Sequence, residues 1–261
     1  MNTDQTAKHL DIVEIKRKIV ELFNQNVKGK KPDTSASNIG HDGKDGHWLE
    51  VQMGIAHNAS NKPDLWGFEM KNFTRGKTSF GDWSADYYIY KDKDYNLDRT
   101  KFLTIFGGPN ILKDNRYSWS GRSCPKINDY NIFGQVLKVD GDDNILALYS
   151  YEKDGRPGKT IIVPDHLKKN NLILAKWSKE KMKIKVENKF NKLGWFKCIK
   201  NTDGVYSEIV FGDRINFKQW IDGVRKGLIF FDSGMYVGNS RNYSQWRANN
   251  DYWNSLIVEK Y

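Results

Sequence analysis

Only two cysteines, Cys124 and Cys198, occur in the 261 residues, and neither belongs to a CxxC or Cys/His cluster. That excludes a disulfide framework and a structural zinc site and suits a reducing compartment. No apolar run is long enough to span a bilayer, and the opening MNTDQTAKHLDIVEIKRK lacks the apolar core of a signal peptide, so a cytoplasmic protein is expected. GxxxxGK(S/T) and GxGxxG are missing, which removes support for nucleotide-driven translocation, and there is no GxSxG elbow. Repeats, low-complexity tracts and a clear interdomain linker are absent as well. Acidic residues are the minority charge: 32 Asp and Glu stand against 42 Lys and Arg, a formal net charge of +10. Such an excess favours a polyanionic partner, of which nucleic acid is the commonest, although a Lys-rich proteome explains it too.

What is present describes a folded protein. Hydrophobic residues make up 38% and aromatics 13%, with nine Trp, enough for a sizeable core in one elaborated domain or two lobes. HLDIVEIKRKIVELFNQ has the apolar spacing of an amphipathic helix, and HWLEVQMGIAHN predicts a short helix turning Trp48, Leu49, Met53 and Ile55 inward. KFLTIFGG, NILALYSYE, KTIIVP, GWFKCIKN, SEIVFGD and LIFFDSGMY read as strands, and NFKQWIDGVRKG as a helix. In KMKIKVENK, Met182, Ile184 and Val186 alternate with charged residues as in a half-buried strand. The class is mixed α/β.

The segment NKPDLWGFEMKN places Asp64, Glu69 and Lys71 in otherwise apolar surroundings. Glu69 and Lys71, two apart, share a face of a regular strand, and a bend at Gly67 would let Asp64 join them. Carboxylate oxygens suit Mg²⁺, and a neighbouring ammonium orients or helps deprotonate an attacking water. Together they describe phosphodiester hydrolysis. By spacing alone, a surface strand with an ordinary Glu–Lys pair explains the pattern as well.

PDLWGFEMK resembles the signature of the PD-(D/E)xK nucleases, with Pro63 and Asp64 as its first half and Glu69, Met70 and Lys71 as its second. The spacing from Asp64 to Glu69, followed by FLTIFGGPN, is similar to that of the MvaI and BcnI group of Type II restriction enzymes, related to the mismatch-repair nickase MutH. The resemblance covers residues 45 to 110, with a fainter echo near 228 to 250. It implies a restriction-endonuclease-like mixed sheet flanked by helices, with a second recognition lobe. It also implies that Asp64 and Glu69 bind Mg²⁺, that Lys71 is the catalytic lysine, and that Glu50 on the preceding helix supports the metal site or orients Lys71. The lobes are expected at about residues 1–150 for catalysis and 151–261 for DNA recognition, the latter with elements returning to the core. The insertion-like TRGKTSFGDWSADYYIYKDKDYNLDRT departs from the group's pattern and leaves the topology there open.

GNSRNYSQWRANN packs Asn239, Ser240, Arg241, Asn242, Arg247 and Asn249 beside Tyr243 and Trp246. Arg donates bidentately to guanine and Asn pairs bidentately with adenine, so the segment is a candidate base-reading loop, led by Arg241 and Arg247. A polar surface loop whose Arg and Asn cap turns is the plain alternative. His9, His41, His47, His57 and His166 are scattered, and incidental loop positions account for them. The reading is a Type II restriction endonuclease that cuts double-stranded DNA at a short GC-containing site, of the CCNGG or GGNCC kind, leaving 5′-phosphates. A companion DNA methyltransferase is then expected, and monomer and homodimer both stay open. The rivals are a MutH-like repair nickase and a non-catalytic DNA-binding module.

Overall fold

A computed structural model describes residues 11–33, 35, 44–55 and 61–261. His9, His41 and His57 lie outside the described residues. In chain order the elements are α1 (Ile12–Asn26), α2 (Lys44–Gln52), β1 (Phe68–Asn72), β2 (Lys77–Asp82), β3 (Tyr87–Tyr88), α3 (Arg99–Phe106), β4 (Gly108–Asn110) and β5 (Arg116–Trp119). They continue as β6 (Phe133–Val139), β7 (Ile145–Asp154), α4 (Lys159–Ile162), β8 (Leu172–Trp177), α5 (Lys179–Phe190), β9 (Gly194–Lys200) and β10 (Tyr206–Gly212). α6 (Phe217–Arg225), β11 (Ile229–Ser233), β12 (Met235–Tyr236), β13 (Ser244–Asn249), α7 (Asn250–Ser255) and β14 (Ile257–Lys260) complete the chain.

Two compact units result. The first comprises Met1–Arg75, Asn188–Ile215 and Asn254–Tyr261; the second comprises Gly76–Glu187 and Asn216–Trp253. The units therefore do not divide near residue 150, which falls inside the second. Residues 76–150 belong to a different unit from Asp64, and the chain crosses back within α5.

The first unit is built on a four-stranded sheet in the order β1-β9-β10-β14. β1 runs parallel to β9, Phe68 facing Gly194 and Lys71 facing Lys197, and β10 is antiparallel to both β9 and β14. A parallel pair needs a long crossover, and here the chain's excursion through the second unit supplies it. Pleating sends alternate residues to opposite faces. Phe68, Met70, Phe196 and Cys198 join Ile15, Ile19 and Phe23 of α1, Leu49 of α2 and Met53 just after it in one apolar core. Asp11 caps α1 by accepting the backbone N–H of Val13. Burying an aromatic side chain such as Phe68 stabilises the fold by about 1.5 to 3 kcal/mol.

The second unit carries three sheets, in the orders β11-β13-β2, β12-β5-β4 and β3-β8-β7-β6. Trp83, Trp119, Trp177, Trp220, Trp246 and Trp253 are buried there. Ring centroids of Trp177 and Phe231 lie 4.9 Å apart, of Trp220 and Trp246 5.2 Å, and of Phe80 and Trp253 4.4 Å. Both cysteines are buried and free, and no helix among the described residues is long and apolar enough to cross a membrane.

Most expected elements form, with instructive departures. KFLTIFGG gives helix α3 and not a strand: Asp98 caps it by accepting the Lys101 N–H at 2.7 Å, and Phe102, Leu103, Ile105 and Phe106 cover a helical face. KTIIVP begins as the single-turn helix α4, entered through Gly158 at φ +76°, with Ile161 left 89% exposed. The alternating KMKIKVENK is helix α5: Met182, Val186 and Phe190, spaced by four, are buried, whereas Ile184 is 58% exposed. Period two and period four coincide at Met182 and Val186, and only the burial of Ile184 separates them.

Candidate active site

The charged segment is a tight turn feeding a strand. β1 begins only at Phe68; before it, Leu65 and Phe68 exchange both backbone hydrogen bonds, at 3.0 and 2.8 Å, around Trp66 and Gly67. Those two residues have φ of +46° and +94°, the left-handed pair that a two-residue reversal requires. A side chain at Gly67 would also press on Leu193 at 3.1 Å, so glycine is needed there twice over. The reversal folds Asp64 back along β1, where its Oδ2 accepts the Met70 N–H at 2.9 Å. The expected bend is thus at Trp66–Gly67, and Asp64 joins Glu69 and Lys71 across a turn.

Glu69 and Lys71 project from the face of β1 opposite the apolar core, and both are buried, at 2% and 8% exposure. Lys71 Nζ donates to Glu69 Oε1 at 2.7 Å and lies 5.0 Å from the centre of the Phe190 ring. Burial lowers the Lys71 pKa, and the nearby Lys189 lowers it further, against the opposing pull of Glu69. Burial, and then the charge of Glu69, push Asp64 up to about 7. Two residues that sequence reasoning missed complete the cluster. Lys189, at the end of α5, places Nζ 3.1 Å from Glu69 Oε1. Lys197 on β9, in register with Lys71 and 2% exposed, has its pKa lowered by burial to about 8. Neither carries a local signal: each is one lysine in a Lys-rich stretch, and only strand pairing and helix placement single them out.

Among the described residues no group of three or more His, Cys, Asp and Glu forms a metal cage. Mg²⁺, however, usually takes only one or two protein carboxylates, with water and phosphate completing its shell. Asp64 and Glu69 fit that pattern. Glu69 Oε2 is buried with no hydrogen-bond partner among the described residues, and burial together with the charge of Glu69 makes Asp64 hold its proton unusually well. A bound cation would relieve both features.

Glu50 stands on α2, the helix whose Leu49 packs in the same core as Phe68 and Met70. Its carboxylate is 3.8 Å from His47, and its side chain is 37% exposed. In the second unit, the proposed reading segment is half strand: Ser244–Asn249 form β13, the centre of a three-stranded sheet. Its pleat buries Ser244, Trp246 and Ala248 and leaves Gln245, Arg247 and Asn249 on the other face. Arg247 Nε lies 3.2 Å from Asp232 Oδ2 on β11 and donates to Gln245 Oε1. Lys77 pairs with the same Asp232 oxygen. Arg241 is exposed, pairs with Asp82 at 2.9 Å and stacks 4.5 Å over Tyr243. Asn239 accepts the Arg241 N–H, and Ser240 is exposed between them. Arg99, at the start of α3, donates to the Tyr236, Asn239 and Arg241 carbonyls and to Asn242 Oδ1. This arginine pins the segment and was not singled out by sequence.

A sequence model of the LlaMI restriction endonuclease family matches residues 27–261. The chain is 45% identical to the Type II restriction enzyme ScrFI of Lactococcus lactis subsp. cremoris, over 94% of this chain and 97% of that protein. Among solved structures it is similar to the restriction endonuclease MvaI in complex with its cognate DNA substrate, with a TM-score of 0.58 and 11% identity over 96% of this chain and 97% of that one. At that identity the likeness carries the fold, which is restriction-endonuclease-like.

Proposed function

The chain belongs to the LlaMI restriction endonuclease family, whose Type II enzymes are site-specific deoxyribonucleases acting on double-stranded DNA, and from that premise we propose the chemistry and the division of labour. The first unit cuts and the second reads. Asp64 and Glu69 hold Mg²⁺, and the target is a short GC-containing sequence of the CCNGG or GGNCC kind, cut to leave 5′-phosphates. A companion methyltransferase protects the host DNA in the cytoplasm.

The observation that carries this reading is the gathering of Asp64, Glu69 and Lys71 on one buried face, with Glu69 Oε2 left without a partner. Bound Mg²⁺ supplies neutralisation of the charge that builds on the phosphate oxygens. Lys71 orients the attacking water and, in the neutral amine form that burial favours, takes its proton. The wall formed by Phe190 and the strand limits water at Lys71 Nζ. Glu50 is assigned to support of this site from α2. In the second unit Arg241, Arg247, Asn239, Ser240, Asn242 and Asn249 contact DNA, the arginines by bidentate donation to guanine.

The test is incubation of the purified protein with unmethylated phage DNA, with Mg²⁺ or with EDTA, beside Asp64→Ala. Discrete Mg²⁺-dependent fragments, lost in the variant, are expected, and mapping their ends gives the site and the cut. Nicked circles in place of fragments would replace this reading with a single-strand enzyme, and cleavage by Asp64→Ala would remove the site assignment.

A further inference from the structure

Glu69 Oε1 is shared by two ammonium groups, Lys71 Nζ at 2.7 Å and Lys189 Nζ at 3.1 Å. The two lysines are not equivalent. Lys71 lies on the same strand as Glu69, two residues away, and its side chain is 9% exposed. Lys189 arrives from the last turn of α5, and its side chain is 16% exposed. The Glu69 side chain is 3% exposed, and an ionised carboxylate so deeply placed requires compensating charge. One positive charge and one hydrogen bond already come from Lys71, and Lys189 is a second positive charge on the same oxygen.

We propose that Lys189 is a positioning residue that holds Glu69 through Oε1, leaves Oε2 to the cation, and competes electrostatically with the divalent ion for the carboxylate. A dication entering beside Asp64 and Glu69 meets a site already holding Lys71 and Lys189. Like-charge repulsion at this range in a buried setting is strong, and Lys189, which comes from a different element than Glu69 and has the more exposed side chain, is the ammonium that withdraws. Lys189 thereby holds Glu69 in place while weakening its grip on metal. The proposal rests on the assignment of Glu69 as a metal ligand.

Calorimetric titration of the DNA-free protein with Ca²⁺ tests both, with no cleavage involved. Lys189→Met, which keeps the stem and removes the charge, is expected to tighten Ca²⁺ binding about tenfold. Lys189→Arg, whose guanidinium grips a carboxylate bidentately, is expected to weaken it relative to the wild type. The opposite signs separate competition from a packing role, and Lys189→Arg carries the test should Lys189→Met fail to fold. Unchanged or weaker Ca²⁺ binding in a folded Lys189→Met, or tighter binding in Lys189→Arg, would overturn the proposal. Glu69→Gln separates the two layers. If it removes Ca²⁺ binding while the Lys189 variants leave it unchanged, competition alone fails; if Glu69→Gln leaves it unchanged, the metal-ligand assignment fails with it.

Discussion

On one face of β1, Phe68 and Met70 are sealed beneath α1 and α2; on the other, Glu69 and Lys71 are buried to almost the same degree and carry charge. Successive residues of one five-residue strand thus meet opposite demands. The apolar face gains stability from every methylene it removes from water. The charged face is held by an ion pair that roughly offsets its own desolvation and leaves a carboxylate oxygen unsatisfied. Such an arrangement adds little to stability, and it is the kind of local strain found where chemistry is done.

The largest effect that separates the faces is on cleavage. Lys71→Met should lower single-turnover cleavage of plasmid DNA by about 10²- to 10⁴-fold while the variant still unfolds cooperatively; a loss under tenfold would mean that the lysine is structural. On the other face, Phe68→Ala should cost about 3 to 5 kcal/mol in urea unfolding without changing which sequence is cut. A shift in cleavage pattern there would show that the two faces are not independent.

Asp64 sharpens the contrast through pH. Its carboxyl is raised to about 7 in the folded metal-free protein, against an unfolded value near 4. Below about pH 4 both states are protonated and Asp64→Asn should match the wild type. Between pH 4 and 7 the unfolded chain ionises first, so the wild type loses stability as pH rises, and above 7 the gap is constant. With allowance for solvent screening, metal-free Asp64→Asn should be more stable at pH 8 by about 2 kcal/mol. Thermal unfolding in EDTA at pH 4 and pH 8 measures it, and a gap present at both pH values would refute the linkage.

In the second unit, Arg247→Ala should weaken binding to the cognate site by about 1 to 3 kcal/mol if it reads a base. Equal weakening on unrelated duplexes in a binding titration would make it a phosphate contact. The smallest effect belongs to α5: Ile184→Gln, on the exposed side of the helix, should change stability by no more than about 0.5 kcal/mol, whereas a half-buried strand would have lost more.

By itself the sequence determined the features that depend on near neighbours. The α/β class, α1, α2, α6 and the strands β7, β9, β10 and β11 follow from apolar periodicity and turn residues. Asp64, Glu69 and Lys71 were legible because a single glycine-containing turn lets residues within a few positions meet. Where local periods coincide, as in α5, or where a short apolar run suits either element, as in α3, the pattern was ambiguous, and burial against distant residues chose the helix; α4 buries no residue, and its single turn starts from Gly158. Tertiary structure alone decided the rest. Parallel pairing of β1 with β9 set Lys197 beside Lys71, the end of α5 brought Lys189 to Glu69, and Arg99 reached the segment from Tyr236 to Asn242. Those contacts join residues more than a hundred positions apart, and no local spacing encodes them, because what fixes them is the packing of whole elements.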